Sequence, residues 1–510
     1  MLKIILVLLL SACPAYAAGN ENPDPASPGA ITENTPGYPP VVSYTLKNGL
    51  KVLVLERHMT PTISFHIFFK AGSVDDRPWK TGLAHLFEHM AFKGTKTINT
   101  SNFVEESKLL DKIDAVAGKI IAAERDTAGN ETLVESLRAE LKSLEEKADA
   151  YIVKDEYQKL YKSLGESDMN AFTSVDYTGY VVSLPSNRLE SWMMIESDRF
   201  KNPVMREFYR ERSVVMEERR MGESTPARVM WEAMVSHAFK AHPYRNPTIG
   251  WMSDIKALTR TDADDFYKSF YTPGNAAVAI VGDVDSARVI TLMKKYFEDI
   301  PSKPITERFY TEEPGSNSES RVKVFFKAQP QMLIAYKNPG EDHPDTPALI
   351  MLDAVLSSGR TSRLYKELVE KKQLAVSAGS SYSTPGRRYP SLFIFGIAPR
   401  APHTCEENEK ALYSEIEKLK NEPPGQNELE KIRNQLEAEK IQKLETNQGL
   451  SQSLAYGQAI TGDWKSEWKL LEKLRKVTAE DIVNVTKKYF TDNNRTVIIL
   501  EQPETGEGTK

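Results

Sequence analysis

Two stretches of the sequence repeat one pattern and decide the fold: TDADDFYKSFYTPGNAAVAIV (261–281) and TAEDIVNVTKKYFTDNNRTVIIL (478–500). Thr261 and Asp264 in the first, like Thr478 and Asp481 in the second, form a Thr-x-x-Asp helix start. Each helix then leads through an aromatic pair, a threonine and an asparagine turn into an apolar strand. The order is the same and the spacing agrees to within two residues, which favours internal duplication over coincidence.

This pattern predicts an α+β fold of two homologous halves. Helices and strands mix without strict βαβ alternation, so each half is expected to be an α/β sandwich with helices packed on an antiparallel-rich sheet. The polar, proline-containing residues 301–320 are predicted to link an N-terminal domain (42–300) to a homologous C-terminal domain (321–505). Residues 18–41 are rich in Pro, Gly, Asn and Ser and are predicted to form a flexible leader.

The first 17 residues have the features of a secretory signal peptide. Lys3 precedes a short apolar run, and Ala15-Tyr16-Ala17 forms an A-x-A cleavage site. The segment is not rich in arginine, which favours the bacterial periplasm over a mitochondrial destination. Leu10-Ser11-Ala12-Cys13 also resembles a bacterial lipobox, so a lipid anchor at Cys13 is an alternative to cleavage after Ala17.

Composition excludes several classes of protein. The formal net charge of −5 offers no global electrostatic argument for nucleic-acid binding, and no nucleic-acid partner is expected. Only two cysteines, Cys13 and Cys405, occur in the chain, which excludes a disulfide scaffold or a cysteine-rich zinc module.

Residues 103–165 differ from the rest of the first half. Two runs of apolar residues follow the spacing of a coiled-coil seam and predict an inserted antiparallel helical hairpin. The residues concerned are Leu109, Ile113, Val116 and Ile120 in the first run, and Leu137, Leu141, Leu144, Ala148 and Tyr151 in the second.

The chemistry is predicted at His85-Leu86-Phe87-Glu88-His89. On a helix, residues four apart share one face, so His85 and His89 can bind one metal ion. Glu88 precedes His89 and can lie beside the same ion. The H-x-x-E-H order is the inverted zincin arrangement, in which the glutamate is the general base. Two imidazoles plus a carboxylate favour one zinc ion per chain. The alternative is a helix with two surface histidines and an incidental glutamate.

A third ligand is expected on the strong helix pattern ERSVVMEE, residues 211–218. Glu211 and Glu218 lie two turns apart on nearly the same face. One of them could bind the metal while the other orients a histidine, and the residues alone do not decide which.

Four blocks together resemble pitrilysin/insulinase-type zinc peptidases, close to the mitochondrial-processing-peptidase branch. The resemblance extends from Val42 nearly to the C-terminus, with the helical hairpin as an exception. The blocks are Thr45–Leu50 (TLKNGL), Gly82–Thr95 (GLAHLFEHMAFKGT), Asn170–Ser174 (NAFTS) with Thr178-x-Tyr180, and Glu211–Glu218.

The resemblance implies a zinc-dependent endopeptidase that cleaves peptides or unfolded segments. It makes Glu218 the third metal ligand, Glu211 an auxiliary acidic residue and Glu88 the catalytic base. It also implies a substrate-binding edge strand at Asn170, Ala171, Phe172 and Thr173, where an extended peptide can pair by β-augmentation.

The sequence departs from the family in its second half. The family's Arg/Tyr pair falls on Val369 and Val376, which cannot donate hydrogen bonds to substrate or to an oxyanion. Two-subunit members carry the zinc on one chain and this pair on the other. We therefore expect a heterodimer with a homologous metal-free subunit.

A homodimer is the alternative, with Arg360, Arg363 or Tyr382 as a substitute stabiliser. A non-catalytic scaffold or a peptide-binding subunit is the alternative to an enzyme. Retention of the complete set His85, Glu88, His89 and Glu218 favours the enzyme.

Overall fold

The computed structural model describes residues 31–33, 36–126, 131–305 and 310–503. The predicted signal peptide, the lipidation site at Cys13 and the leader up to residue 30 lie outside the described residues. Strands and helices are numbered here in chain order. The strands are β1 (Ile31–Glu33), β2 (Val41–Thr45), β3 (Lys51–Glu56), β4 (Thr62–Phe69), β5 (Ser167–Thr173), β6 (Thr178–Pro185), β7 (Ala276–Gly282), β8 (Ser320–Phe325), β9 (Gln331–Asn338), β10 (Ala375–Thr384), β11 (Ser391–Pro399) and β12 (Arg495–Glu501).

The helices alternate irregularly with these strands. They are α1 (Leu83–Met90), α2 (Phe103–Arg125), α3 (Glu131–Asp149), α4 (Glu156–Ser163), α5 (Leu189–Lys201), α6 (Phe208–Glu223), α7 (Pro226–Ala238), α8 (Met252–Ala257), α9 (Arg260–Phe270), α10 (Ser286–Phe297), α11 (Thr346–Ser357), α12 (Cys405–Asn421), α13 (Gln426–Leu444), α14 (Asn447–Tyr456), α15 (Ser466–Lys476) and α16 (Ala479–Tyr489). Two π-helical segments, Tyr365–Lys371 and Gly457–Thr461, complete the second half.

The two sheets have the same topology, which confirms the predicted α+β fold of two similar halves. The first sheet runs β5-β6-β4-β7-β3-β2-β1, and the second runs β10-β11-β9-β12-β8. The fourth pair of neighbouring strands in each order is parallel: β7 with β3 in the first sheet and β12 with β8 in the second. The three pairs before it are antiparallel in both sheets. The first sheet is longer by β2 and β1.

Strand β1 lies inside the predicted flexible leader, so that prediction is wrong for its last part. Ile31–Glu33 pairs with β2, with Ile31 opposite Ser43. Farther along, the ring of Tyr38 packs edge-on against Trp464 of the second half at 6.3 Å between ring centroids. The end of the leader is therefore part of the folded unit.

The repeated helix-to-strand join is more regular than the sequence pattern predicted. The cap of α9 is Thr259 with Asp262, not Thr261 with Asp264, and it forms the same reciprocal capping box as Thr478 with Asp481. With this correction the two joins have identical spacing. The turn asparagines Asn275 and Asn494 also make equivalent hydrogen bonds, each donating from Nδ2 to the carbonyl of the aromatic residue five positions earlier at 2.8 Å.

Each half covers the outer face of the other half's sheet with one helix. Helix α7 packs on the second sheet and α14 packs on the first. The apolar contacts include Met230, Met234 and Val235 with Ile498 and Leu500 in one case, and Leu450 and Leu454 with Leu53, Phe68 and Ala279 in the other. The halves therefore share two apolar clusters and stabilise each other.

A buried histidine lies in this contact between the halves. His66 on β4 is 2% exposed, and its Nδ1 lies 2.8 Å from Oγ of Ser451 on α14. Burial, helped by the charge of Lys443, lowers the pKa of His66 to about 3. The neutral form is therefore the one that fits the native contact.

Because of His66, we expect the free energy of unfolding to decrease when the pH is lowered. Below its ordinary pKa of about 6.5 the unfolded chain binds a proton that the folded chain does not, so the free energy of unfolding decreases as pH falls from 6.5 towards 3. The His66 contribution is about 1.4 kcal/mol per pH unit over that window. Urea unfolding at pH 7 and pH 5 should show a larger loss for wild type than for His66→Gln. Equal losses in the two proteins would contradict this assignment.

The inserted hairpin is present as two packed helices, α2 and α3. Val116, Ile120 and Leu137 are buried between them. Residues 127–130, at their connection, lie outside the described residues, and coiled-coil geometry stays a prediction. The last part of the predicted insertion is different, because α4 buries Tyr157 and Tyr161 in the core of the first half.

Candidate metal centre

Helix α1 presents the H-x-x-E-H motif on its open side. Its buried side consists of Leu83, Leu86, Phe87 and Met90, which belong to the core of the first half. The spacing of these apolar residues leaves His85, Glu88 and His89 half-buried at the helix surface. The core contacts thus determine which way the motif faces.

The start of α1 is held by Asp76, which sequence reasoning missed. Its two carboxylate oxygens accept hydrogen bonds from the N–H groups of Gly82 (2.8 Å) and Ala84 (2.9 Å). Burial raises the pKa of Asp76, although these N–H groups act in the opposite direction. The residue lies six positions before the helix cap, so no short-range capping pattern could have indicated it.

Helix α6 supplies the other predicted ligand. Phe208, Val215 and Arg219 face the interior, while Glu211 and Glu218 share the side that faces α1. The Oε2 atom of Glu218 lies 3.8 Å from Nε2 of His85 and 3.9 Å from Nε2 of His89. Ligand atoms of the three residues all lie within 4.8 Å of one another, close enough to surround one metal ion.

Glu211 contacts the other nitrogen of His89. Its Oε2 lies 3.3 Å from Nδ1 of His89, and its Oε1 lies 2.5 Å from Nζ of Lys93. The hydrogen bond with Glu211 raises the pKa of His89, against the effect of burial. Burial alone would raise the pKa of Glu211, but its contacts with His89 and Lys93 lower it. The sequence did not indicate this role of Lys93 either, although Lys93 lies within the Gly82–Thr95 block, four residues after His89.

His85 is in the form that binds metal. Burial, with the nearby charges of His89 and Arg228, lowers its pKa to about 4, so the imidazole is neutral at pH 7. Two imidazole nitrogens and one carboxylate oxygen, held in a half-buried cluster, form a donor set that suits zinc. The residues present therefore fit the metal that the motif predicts.

Glu88 lies beside the end of the predicted substrate strand. Burial raises the pKa of Glu88, while hydrogen bonds from the hydroxyl and N–H of Thr173 act in the opposite direction. Thr173 is the last residue of β5, which is the edge strand of the first sheet. The fold therefore brings the predicted base next to an open sheet edge.

The predicted strand residues point in different directions. Ala171 is buried in the core, and its N–H donates to the side chain of Asn170 at 2.9 Å. Phe172 packs against Phe68, with ring centroids 5.7 Å apart, and against Tyr177 at 6.1 Å. Its ring is therefore engaged within the protein.

The second half repeats the helix-to-edge contact without the histidines. Asp353 on α11 accepts a hydrogen bond from Ser380 on edge strand β10 at 2.5 Å. Of the two valines at the family's Arg/Tyr positions, Val369 is buried and Val376 is 63% exposed on β10. Of the alternative donors, Arg363 is bound to Glu428 at 2.8 Å.

Two family models match the chain. The model described as Insulinase (Peptidase family M16) matches residues 51–115 and 150–251, and the one described as Peptidase M16 inactive domain matches residues 257–436. The unmatched residues 116–149 include the second part of α2 and all of α3, so the outer part of the hairpin lies outside the family match.

Similar proteins agree with this assignment. The zinc protease PqqE of Helicobacter pylori is 28% identical over 470 residues, covering 90% of this chain and 92% of that protein. The probable mitochondrial-processing peptidase subunit beta of Arabidopsis thaliana is 23% identical over 468 residues, covering 88% and 76%. The crystal structure of a protease from Helicobacter pylori superposes with a TM-score of 0.75 at 27% identity, covering 91% of this chain and all of that one. The chain belongs to peptidase family M16, the insulinase family, and is a zinc protease of the M16 type.

Proposed function

We propose that this protein is a zinc-dependent endopeptidase that cleaves peptides or unfolded segments, with one zinc ion per chain held by His85, His89 and Glu218. The observation that carries the proposal is the position of one Glu218 oxygen within 3.9 Å of both Nε2 atoms. Two imidazoles and a carboxylate leave a fourth position for water, as catalytic zinc sites require.

Glu88 is proposed as the general base. Bound zinc would polarise a water molecule and lower its pKa. The Glu88 carboxylate takes a proton from the attacking water and returns it to the leaving amine. The raised pKa of Glu88 makes it a stronger base than an exposed glutamate, and Thr173 fixes its orientation.

Glu211 is proposed as an auxiliary residue rather than a ligand. Its contact with Nδ1 of His89 leaves Nε2 directed at Glu218, which is the orientation metal binding needs. Lys93 holds the same carboxylate from the other side.

Peptide substrate is proposed to bind along β5. An edge strand offers unpaired backbone groups, and a peptide that pairs with Asn170–Thr173 would reach Glu88 at the Thr173 end. In the register of β5 with β6, the Ala171 N–H points away from β6 towards the open edge. Binding of a peptide there requires this N–H to exchange the Asn170 side chain for a substrate carbonyl.

The proposal is tested by metal analysis together with a quenched fluorescent peptide. We expect one zinc ion per chain and cleavage of an unstructured peptide. Glu218→Gln should weaken zinc binding at least about 100-fold, because it removes a ligand charge. The matched control is Glu217→Gln, since Glu217 is exposed and pairs with Arg220. Zinc binding without cleavage of peptides, both by the chain alone and after addition of a homologous metal-free subunit, would favour a non-catalytic scaffold or peptide-binding subunit.

We also propose that a second, homologous chain completes the site. The side chains of Val369 and Val376 supply no hydrogen-bond donor, and one similar protein is itself named as a subunit, the beta subunit of a processing peptidase. Peptide cleavage should therefore increase when a metal-free relative that carries an Arg/Tyr pair is added. Full activity of the isolated chain as a homodimer would contradict the heterodimer.

Secretion to the bacterial periplasm is a further proposal, based on residues 1–17. Among the residues that the structure describes, every helix is too short or too polar to cross a membrane. N-terminal sequencing of the mature protein should find Ala18 first, whereas a chain that starts at a modified Cys13 would indicate a lipoprotein.

A further inference from the structure

The root of the inserted hairpin is bound to the start of helix α6. Arg206, two residues before α6, is fully buried together with Glu106 of α2. The guanidinium donates from Nε to Oε1 at 2.7 Å and from Nη2 to Oε2 at 3.0 Å. This bidentate pair joins the hairpin to the helix that carries Glu211 and Glu218.

Arg206 also joins both of these elements to the segment that follows α1. Its Nη2 donates to the carbonyl oxygen of Thr95 at 2.8 Å, and its Nη1 donates to the carbonyl oxygens of Ile98 and Lys93. One buried side chain therefore connects the hairpin, the segment that follows the His85/His89 helix and the segment that leads into the Glu211/Glu218 helix.

Further contacts surround this connection. The hydroxyl of Tyr209 donates to Asp114 at 2.8 Å. Arg210 donates to both oxygens of Asp149 on α3, at 2.6 and 3.1 Å. Arg260, at the start of α9, donates to Asp114 at 2.7 Å and to Asp111 at 2.8 Å.

The two sides of this interface carry opposite charges. The hairpin contributes carboxylates, and the domain contributes arginines and one tyrosine. Apolar residues of the hairpin root lie beneath them and share one core with the start of α6; they are Leu110, Ile113 and Ala148, with Met205 and Phe208. Farther out, a cleft of about 980 Å³ lies between the hairpin and α6, lined by Ile120 and Arg138 on one side and Met216 and Arg220 on the other.

We propose that the hairpin holds helix α6 in place against α1, with Arg206 and Arg210 as positioning residues for the metal ligands. This inference rests on the proposed function, because it concerns the zinc site. Glu218 lies on α6, whereas both histidines lie on α1. The distance from Glu218 to the histidines therefore depends on how α6 is held against α1. Small displacements of a ligand are enough to weaken metal binding.

The test measures the zinc dissociation constant of the full chain by competition with a chromophoric chelator. Arg210→Gln removes the contacts with Asp149 and should raise the zinc dissociation constant about fivefold. Arg210→Lys keeps the charge and should stay within about twofold of wild type. Glu106→Gln, which leaves the Arg206 charge unpaired, should have a larger effect than Arg210→Gln if the variant folds.

The matched control is Arg363→Gln in the second half. Arg363 also pairs with a carboxylate, Glu428, and is comparably buried, but it lies on an element that carries none of the proposed ligands. We expect Arg363→Gln to lower the melting temperature like Arg210→Gln while leaving the zinc dissociation constant unchanged. Equal zinc dissociation constants for wild type and Arg210→Gln, with melting temperature alone reduced, would overturn the proposal. A wild-type chain that binds no zinc would instead overturn the proposed function.

Discussion

Replacing Glu88 by glutamine is expected to reduce the rate of peptide cleavage about 1000-fold or more, with one zinc ion per chain still bound. Glutamine keeps the size of the side chain, and its amide oxygen can still accept a hydrogen bond from Thr173. It cannot take a proton from water at neutral pH, so the proton transfer is lost. The proposed ligands His85, His89 and Glu218 are untouched.

Glu88→Gln is measured by kcat for a quenched peptide, with metal content determined on the same sample. Burial raises the pKa of Glu88, so the neutral amide should not destabilise the fold. Glu217→Gln, which changes an exposed glutamate on α6, serves as the control and should keep full activity. If Glu88→Gln retains a tenth or more of the activity, another group is the base.

Replacing Gly82 by alanine is expected to destabilise the first half by about 3 kcal/mol or more and to weaken zinc binding. Gly82 caps helix α1 at φ +87°, a conformation that side chains rarely adopt. A Cβ atom there would lie 2.3 Å from the carbonyl oxygen of Ile249. The clash is with backbone, so the start of α1 has to move away from its place beside Gly250.

The control for Gly82→Ala is the same substitution at Gly118. Gly118 lies within helix α2, and a Cβ atom there meets nothing within 4 Å. We expect Gly118→Ala to be neutral or to stabilise by up to about 1 kcal/mol, because alanine favours the helix. Urea unfolding and zinc titration of both variants distinguish the two sites. A Gly82→Ala protein as stable as Gly118→Ala would show that the close approach is unimportant.

Short-range patterns predicted more of the fold than of the site's surroundings. One repeated helix-to-strand segment was enough to predict the two halves, since its helix cap, turn asparagine and apolar strand all lie within about twenty residues of chain. The error of two residues at Thr261 arose because Thr259 and Thr261 both offer a hydroxyl three residues before an aspartate. Only the observed hydrogen bonds distinguish them.

Contacts between distant segments were not predictable from such patterns. Asp76 caps α1 from a loop, Lys93 holds Glu211, and Arg206 binds three segments at once. No sequence pattern indicated that α7 and α14 each pack on the sheet of the other half, because an apolar helix face does not specify which sheet it covers. Strand β1 in the leader is a similar case, since its pairing with β2 decides its structure.

The sequence by itself determined the elements that depend on neighbours along the chain. His85 and His89 share a face because an α-helix repeats every 3.6 residues, and the same geometry aligns Glu211 with Glu218. Which of the two carboxylates lies near the Nε2 atoms of the histidines depends on how α6 packs against α1. Tertiary structure decided this, and it placed Glu218 near both Nε2 atoms and Glu211 on Nδ1 of His89. The physical reason is that hydrogen-bond periodicity within a helix is local, whereas the distance between two helices is determined by the whole set of side chains packed between and around them.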